Sequence, residues 1–139
     1  MAPERRYSRD HTWAERRDGA LLVGLTAYAI DRLGTLVHLT LSVTPDQRLA
    51  PGELIGNVES DKAVVDLFTP VGGRVLAVQE DLTHDPARLH DDCYGEGWLL
   101  RLAEPDPGDS LAHRDDFAGL LDASQYNELL KARPRIADV

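Results

Sequence analysis

Apolar residues in this chain come in short runs, and each run stops at glycine, proline or a charged cluster. Such punctuation leaves little room for long helices and favours strands of a small β barrel or sandwich. It is densest between residues 51 and 78. Pro51-Gly52 opens a strand over 54–58, and a polar tip follows, Glu59-Ser60-Asp61-Lys62. A second strand spans 63–68, Thr69-Pro70-Val71-Gly72-Gly73 turns the chain, and a third strand spans 74–78. Nearer the start, strands over 12–15 and 20–25 flank Arg16-Arg17-Asp18-Gly19. Asp-Gly there supplies the positive φ that a tight hairpin needs. Thr26 is placed to cap one or two helical turns through Ala29, Ile30 and Leu33, which Gly34 ends. Residues 36–41 form a strand with Thr35, Val37, Leu39 and Leu41 on one face, and 44–51 form a loop.

Downstream, Asp85 caps a helical turn that begins with Pro86. Residues 94–98 bend the chain, 98–102 form a buried strand, and 104–110 are a loop. Leu120, Leu121, Tyr126, Leu129 and Leu130 lie at helical spacing, which predicts a C-terminal amphipathic helix ending at Arg133-Pro134. That helix is expected to cover one end of the β core. Residues 1–10 are charged and expected to fray, with 1–6 disordered.

At 139 residues the chain has the length of one domain. Apolar residues at 42% and charged residues at 28% exclude a disordered tail. Fifteen basic against 24 acidic residues give a net charge of −9, and no basic stripe is present, which argues against nucleic-acid binding. Cys93 is the one cysteine, so neither an intramolecular disulfide nor a cysteine metal cluster can form. The start, Met-Ala-Pro-Glu-Arg-Arg, leads to no apolar signal region, and the longest apolar stretch, 20–30, is too short to cross a membrane. A cytoplasmic protein is expected. His84, His90, Asp91 and Asp92 match no standard metal-ligand spacing, and His38 falls on the polar face of its strand. Gly72-Gly73 and Gly95-Glu96-Gly97 precede no helix in a βαβ setting and read as turns, not phosphate loops.

Thirteen of the fifteen basic residues are arginine, and the only lysines are Lys62 and Lys131. One of these two lies at a predicted hairpin tip with Glu59, Asp61 and Asp66 around it. The stretch Glu59-Ser60-Asp61-Lys62-Ala63 resembles the lipoyl-attachment hairpin of lipoyl carrier domains. Further blocks narrow the resemblance to the H proteins of glycine cleavage systems. They are Tyr7 with His11-Thr12-Trp13, Val23-Gly24-Leu25-Thr26-Ala27-Tyr28-Ala29 followed by Leu33-Gly34, and Asp66-Leu67 with Pro70-Val71-Gly72-Gly73. Tyr94-Gly95-Glu96-Gly97-Trp98-Leu99 and Leu120-Leu121-Asp122-Ala123 with Tyr126 complete the set. The family-like region is 7–130 of a single carrier domain spanning 1–139, with 131–139 as a tail.

The resemblance implies an all-β barrel-sandwich hybrid with short helices, and lipoate joined covalently to Lys62. It implies a carrier that partner enzymes act on, not a catalyst. Those partners would be a pyridoxal-phosphate glycine decarboxylase, a tetrahydrofolate-dependent aminomethyltransferase, an FAD-dependent dihydrolipoamide dehydrogenase, and a lipoate ligase or lipoyltransferase. The carboxylates of Glu59, Asp61 and Asp66 would favour the charged amine, so a dedicated enzyme must remove its proton. Amide formation then takes the net charge from −9 to −10.

Several positions differ from the family pattern. Thr12 replaces a carboxylate that in the family holds the cationic cargo in a cleft, and Asp10 is the nearest acidic residue to compensate. Ala27 replaces an Asp, Asp61 a Val or Thr, and Cys93 a Pro, and the segment 104–117 is longer, while Asp66 is retained. His11 would line the arm's cleft or pack on Trp13. These differences leave open an H-like paralogue that serves another enzyme set. They also leave open an unmodified β interaction module, a hydrolase built on Cys93, and biotin in place of lipoate, although the usual Met flanks are here Asp61 and Ala63.

Overall fold

The computed structural model describes residues 4–132. Among the described residues nine strands form two sheets. The larger has the order β1 (Arg5–Tyr7), β2 (Thr12–Arg17), β3 (Ala20–Leu25), β9 (Leu100–Ala103), β8 (Gly73–Val78), β5 (Arg48–Leu49), and the smaller the order β4 (Leu36–Leu41), β6 (Leu54–Ser60), β7 (Val64–Phe68). All strand pairs are antiparallel. The short-strand architecture expected from the punctuation is present: an all-β barrel-sandwich with a few short helices.

Strands β1 (Arg5–Tyr7), β2 (Thr12–Arg17) and β3 (Ala20–Leu25) make a meander. Asp18 (φ 53°) and Gly19 (φ 78°) close the β2–β3 hairpin, as the Asp-Gly pair predicts. Arg5 and Arg6 were expected to be disordered, yet they sit in a strand. Charge does not oppose an edge strand that gives its arginines partners. The Arg5 guanidinium pairs at 2.9 Å with Glu15, whose side chain is fully buried, and lies over the Tyr94 ring. Glu15 also receives Arg17. Tyr7 exchanges backbone bonds with Leu121 at 2.8 and 2.9 Å.

Helix α1 (Ala27–Leu33) begins at Thr26, whose hydroxyl accepts from the Ala29 N–H, and stops at Gly34 (φ 79°). Strand β4 (Leu36–Leu41) follows, but its predicted face is wrong at one end. A bulge between Leu36 and His38 turns Val37 outward, to 44% exposure, and buries Leu36 instead. One extra residue in a strand shifts the alternation by one. Strands β5 (Arg48–Leu49), β6 (Leu54–Ser60), β7 (Val64–Phe68) and β8 (Gly73–Val78) complete the middle. Strand β6 reaches Ser60, so Glu59 and Ser60 belong to the strand rather than to the tip.

Helix α2 (Glu80–His84) and α3 (Asp115–Ala118) carry too little periodicity to be read from sequence. The turn at Pro86–His90 is a 3₁₀ helix, and the Asp85 side chain does not cap it. The buried strand near residue 100 is β9 (Leu100–Ala103), which fills the place between β3 and β8. In the long segment after it, Asp109 accepts from the Leu111 and Ala112 N–H groups and pairs with Arg48. These donors hold its carboxyl below the usual range.

Helix α4 (Ala123–Ala132) is the expected amphipathic helix. Its expected end at Arg133-Pro134, like residues 1–3 of the expected disordered start, lies outside the described residues. The helix is anchored by one buried side chain, Tyr126. That ring stacks on Tyr7 at 4.7 Å, and its hydroxyl bonds both Thr26 and His11 at 2.8 Å. A single apolar core unites Val23, Leu100 and Leu102 of the larger sheet with Leu39, Val58 and Leu67 of the smaller.

Candidate functional site

The β6–β7 hairpin reverses through Ser60-Asp61-Lys62-Ala63. Ser60 is 6% exposed and organises the turn. Its N–H donates to the Ala63 carbonyl at 2.8 Å. Its hydroxyl accepts from the Lys62 N–H at 3.1 Å and the Ala63 N–H at 3.2 Å. The reversal thus has its backbone donors satisfied locally, as a serine turn allows. Asp61 and Lys62 are exposed beyond it.

Two ties hold the tip to the end of α1. The Asp61 N–H donates to the Thr35 carbonyl at 3.0 Å, and Lys62 Nζ donates to the Arg32 carbonyl at 3.4 Å. Gly34 leaves the space in which the lysine lies. A Cβ there would be 3.1 Å from Asp61 Oδ1 and 3.5 Å from Lys62 Cε. His90 Nε2 meets the Gly34 carbonyl at 2.9 Å. A carbonyl only accepts, so Nε2 carries the proton in that bond.

Sequence reasoning grouped Glu59, Ser60, Asp61, Ala63 and Asp66 around Lys62. Ser60, Asp61 and Ala63 are at the turn itself. Glu59 is one pair down, opposite both His38 and Val64. Asp66 pairs with Asn57. It lies within β7, past the turn residues Lys62 and Ala63. Among the described residues no carboxylate forms an ion pair with Lys62, and the amine rests on a helix-end carbonyl instead. Nothing local signalled Arg32 and His90 as neighbours of the tip, and Gly34 was legible only as a helix stop.

Thr12 is buried, and its hydroxyl is engaged with Ser8 Oγ at 2.7 Å and the Phe68 carbonyl at 3.4 Å. Asp10 is exposed, and the Ala27 N–H donates to the Tyr94 hydroxyl. The His11 ring packs on Tyr28 and Tyr126. Cys93 is buried, and burial pushes its thiol up, away from the thiolate that a nucleophile needs. Its carbonyl and that of Leu25 receive the Trp13 indole N–H. His38 is exposed, as expected. Among the described residues no group of three or more His, Cys, Asp or Glu side chains is placed to hold a metal. None of their helices is long and apolar enough to cross a membrane.

Lys62 thus stands exposed at a β-hairpin turn whose backbone is tied by Ser60 and Thr35. The family model for the glycine cleavage H-protein matches residues 5–133. The chain belongs to the glycine cleavage H-protein family. Its members include the glycine cleavage system H protein of Anaeromyxobacter sp. (strain K), 36% identical over 126 residues, which are 91% of this chain and 92% of that one. The corresponding protein of Bifidobacterium longum is 40% identical over 112 residues, 81% of each chain. A crystal structure of a glycine cleavage system H protein from Mycobacterium marinum superposes with a TM-score of 0.75 at 31% identity. It covers 96% of this chain and 99% of that one. Membership in the H-protein family agrees with the barrel-sandwich fold, and Lys62 is then the side chain whose chemistry needs explaining.

Proposed function

We propose that Lys62 carries a lipoyl group in amide linkage, and that the chain ferries an aminomethyl group within the glycine cleavage system. The supporting observation is the exposed Lys62 amine at a turn whose backbone is tied by Ser60 and Thr35. The residues present fit such a group. The amine makes one long bond, 3.4 Å, to a carbonyl that competes weakly with an acylating enzyme. Amide formation breaks the bond between the acyl carbon and the leaving group of an activated lipoyl donor brought by the loading enzyme, joins Nζ to that carbon, and releases two of the ammonium's three protons. Bound there, lipoate supplies a two-electron dithiol couple for taking up and releasing cargo.

The chain's own residues do three things. Strands β6 and β7 hold the base of the arm still. Ser60 keeps the reversal in one shape. The exposure of Asp61 and Lys62 lets separate enzymes reach one point in turn, and tethering raises the cargo's effective concentration at each. No step of catalysis is assigned to this chain. The partners are a pyridoxal-phosphate glycine decarboxylase, a tetrahydrofolate-dependent aminomethyltransferase and an FAD-dependent dihydrolipoamide dehydrogenase. A lipoate ligase or lipoyltransferase loads the arm, and the compartment is the cytoplasm. Intact-mass analysis of the chain from a lipoylation-competent host tests this. A lipoyl-sized increment that vanishes in Lys62→Ala is expected, and an unmodified native mass would overturn the reading.

A second reading keeps the carrier and changes the cargo. It rests on Thr12, whose hydroxyl is already engaged by Ser8 and Phe68 and brings no charge for a cationic amine. Normal transfer of glycine-derived aminomethyl groups in a reconstituted system would dispose of it.

A further inference from the structure

We infer that the outer face of the larger sheet holds a binding site for a single-ring aromatic monocarboxylate, built by Arg17, Trp98 and Arg101 over Leu22. The site does not depend on the attachment at Lys62 proposed above. It draws on β2, β3, β9 and the residues that lead into β9, not on the β6–β7 hairpin.

Strand register puts Arg5, Glu15, Leu22 and Arg101 in one row across β1, β2, β3 and β9. The residues next to them in their strands, Ala14, Leu21, Val23, Leu100 and Leu102, belong to the apolar core. Side chains alternate along a strand, so the row lies on the face turned away from that core. Charge along the row is uneven. Glu15 is fully buried and already taken by Arg5 and Arg17. Arg101 is exposed, and its neighbours in register are apolar, Leu22 on β3 and Ala77 on β8. Among the described residues no carboxylate forms an ion pair with Arg101.

A cleft of about 200 Å³ opens here, lined by Arg17, Asp18, Leu22, Trp98 and Arg101. Arg17 spends Nε and Nη2 on Glu15 and the Tyr94 carbonyl, which fixes its guanidinium in place. Its Nη1 has no protein partner among the described residues. A guanidinium fork suits the two oxygens of a carboxylate, and the cleft offers the free side of one fork and the whole of another. Half-buried Trp98 supplies an aromatic face for a flat ring, and buried Leu22 an apolar floor. The guanidiniums of Arg5, Arg17 and Arg101 stand with the carboxylates of Glu15 and Asp18, which leaves one positive charge in surplus. That surplus matches a monoanion. Sites for drug-sized ligands run from about 300 to 1,000 Å³, so this smaller cleft admits one ring and its acid group.

Benzoate is the probe, and the chain carries its own reporters. It has two tryptophans, Trp13 and Trp98, so the ¹⁵N-labelled full chain gives two indole N–H resonances, which Trp98→Phe assigns. Benzoate should move the Trp98 resonance to saturation, with a Kd on the order of 1 mM. The Trp13 resonance should move far less, because that ring is fully buried with its N–H held by Leu25 and Cys93. Arg101→Gln should weaken benzoate about ten-fold or more, and so should replacing benzoate by uncharged benzamide. Cyclohexanecarboxylate, which keeps the charge and lacks the flat π face, should bind more weakly than benzoate. Urea melts show whether Arg101→Gln keeps its fold, and benzoate against benzamide on the unmutated chain decides the matter without any variant. A Trp98 resonance that stays still, or moves without saturating, overturns the site. Equal affinity in a folded Arg101→Gln overturns the role of Arg101. Benzamide binding as tightly as benzoate overturns the carboxylate, and phenyl phosphate binding more tightly than benzoate overturns the monoanion.

Discussion

Ser60→Ala isolates one oxygen at the heart of the β6–β7 hairpin. Alanine keeps the Cβ, so packing is preserved and only the hydroxyl leaves. That oxygen accepts from the Lys62 and Ala63 N–H groups at 3.1 and 3.2 Å. Each bond is worth about 0.5–1.5 kcal/mol net. Water can reach the Lys62 side of the turn, so the lower half of the summed range applies, about 1–2 kcal/mol. In a domain of this size that corresponds to a fall in melting temperature of roughly 3–10 °C. The loss is local as well as global, because a tip without its serine samples other turn shapes. Urea denaturation gives the global figure, and hydrogen exchange at the Lys62 and Ala63 amides gives the local one. Both amides should exchange faster in the variant, and a lipoylating enzyme should modify Lys62 more slowly. An unchanged urea midpoint together with unchanged exchange at both amides would refute the claim that Ser60 shapes the site.

Two further outcomes follow from the packing around the hairpin's support. Gly24→Ala places a Cβ 2.6 Å from two carbons of the fully buried Trp13 indole, whose N–H is already held by Leu25 and Cys93. Overpacking a pinned ring costs about 1–3 kcal/mol, and a shift of the urea midpoint of that size is expected. Tyr126→Phe removes the hydroxyl that joins α4 to Thr26 and His11 and should cost about 1–3 kcal/mol at neutral pH. Burial pushes the Tyr126 phenol up from its ordinary value. The unfolded phenol ionises at about pH 10 while the folded one stays protonated, so this group's stability is complete below that pH and is lost as pH rises above it. Alkaline melts of Tyr126→Phe should therefore fall less steeply above about pH 10 than those of the unmutated chain.

Local chemistry was readable without coordinates. The Asp18-Gly19 turn, the Thr26 cap, the Gly34 stop and the reversal that presents Lys62 each depend on residues adjacent in the chain. Conformational preference at a turn or a cap is set by the residue in place and its nearest neighbours. The spacing of Tyr126, Leu129 and Leu130 likewise announced α4, because helical period is a local property, whereas Leu120 and Leu121 precede the helix and Leu121 bridges to Tyr7. The blocks from Tyr7 to Tyr126 also carried the family, which the family-model match over residues 5–133 bears out.

Contacts between distant segments left no such trace. Arg5 looked like part of a charged, loose start until Glu15 was found buried against it. Val37 looked inward until a bulge turned it out. Asp66 was grouped with the tip, and it lies within β7, paired with Asn57. The Lys62 amine found Arg32, thirty residues upstream, and Gly34 found His90. Composition and order thus determined the strands, the turns and the one lysine at a tip. Only the folded chain decided what that lysine touches, because long-range pairing depends on how the sheets close around a shared core and not on the residues beside it.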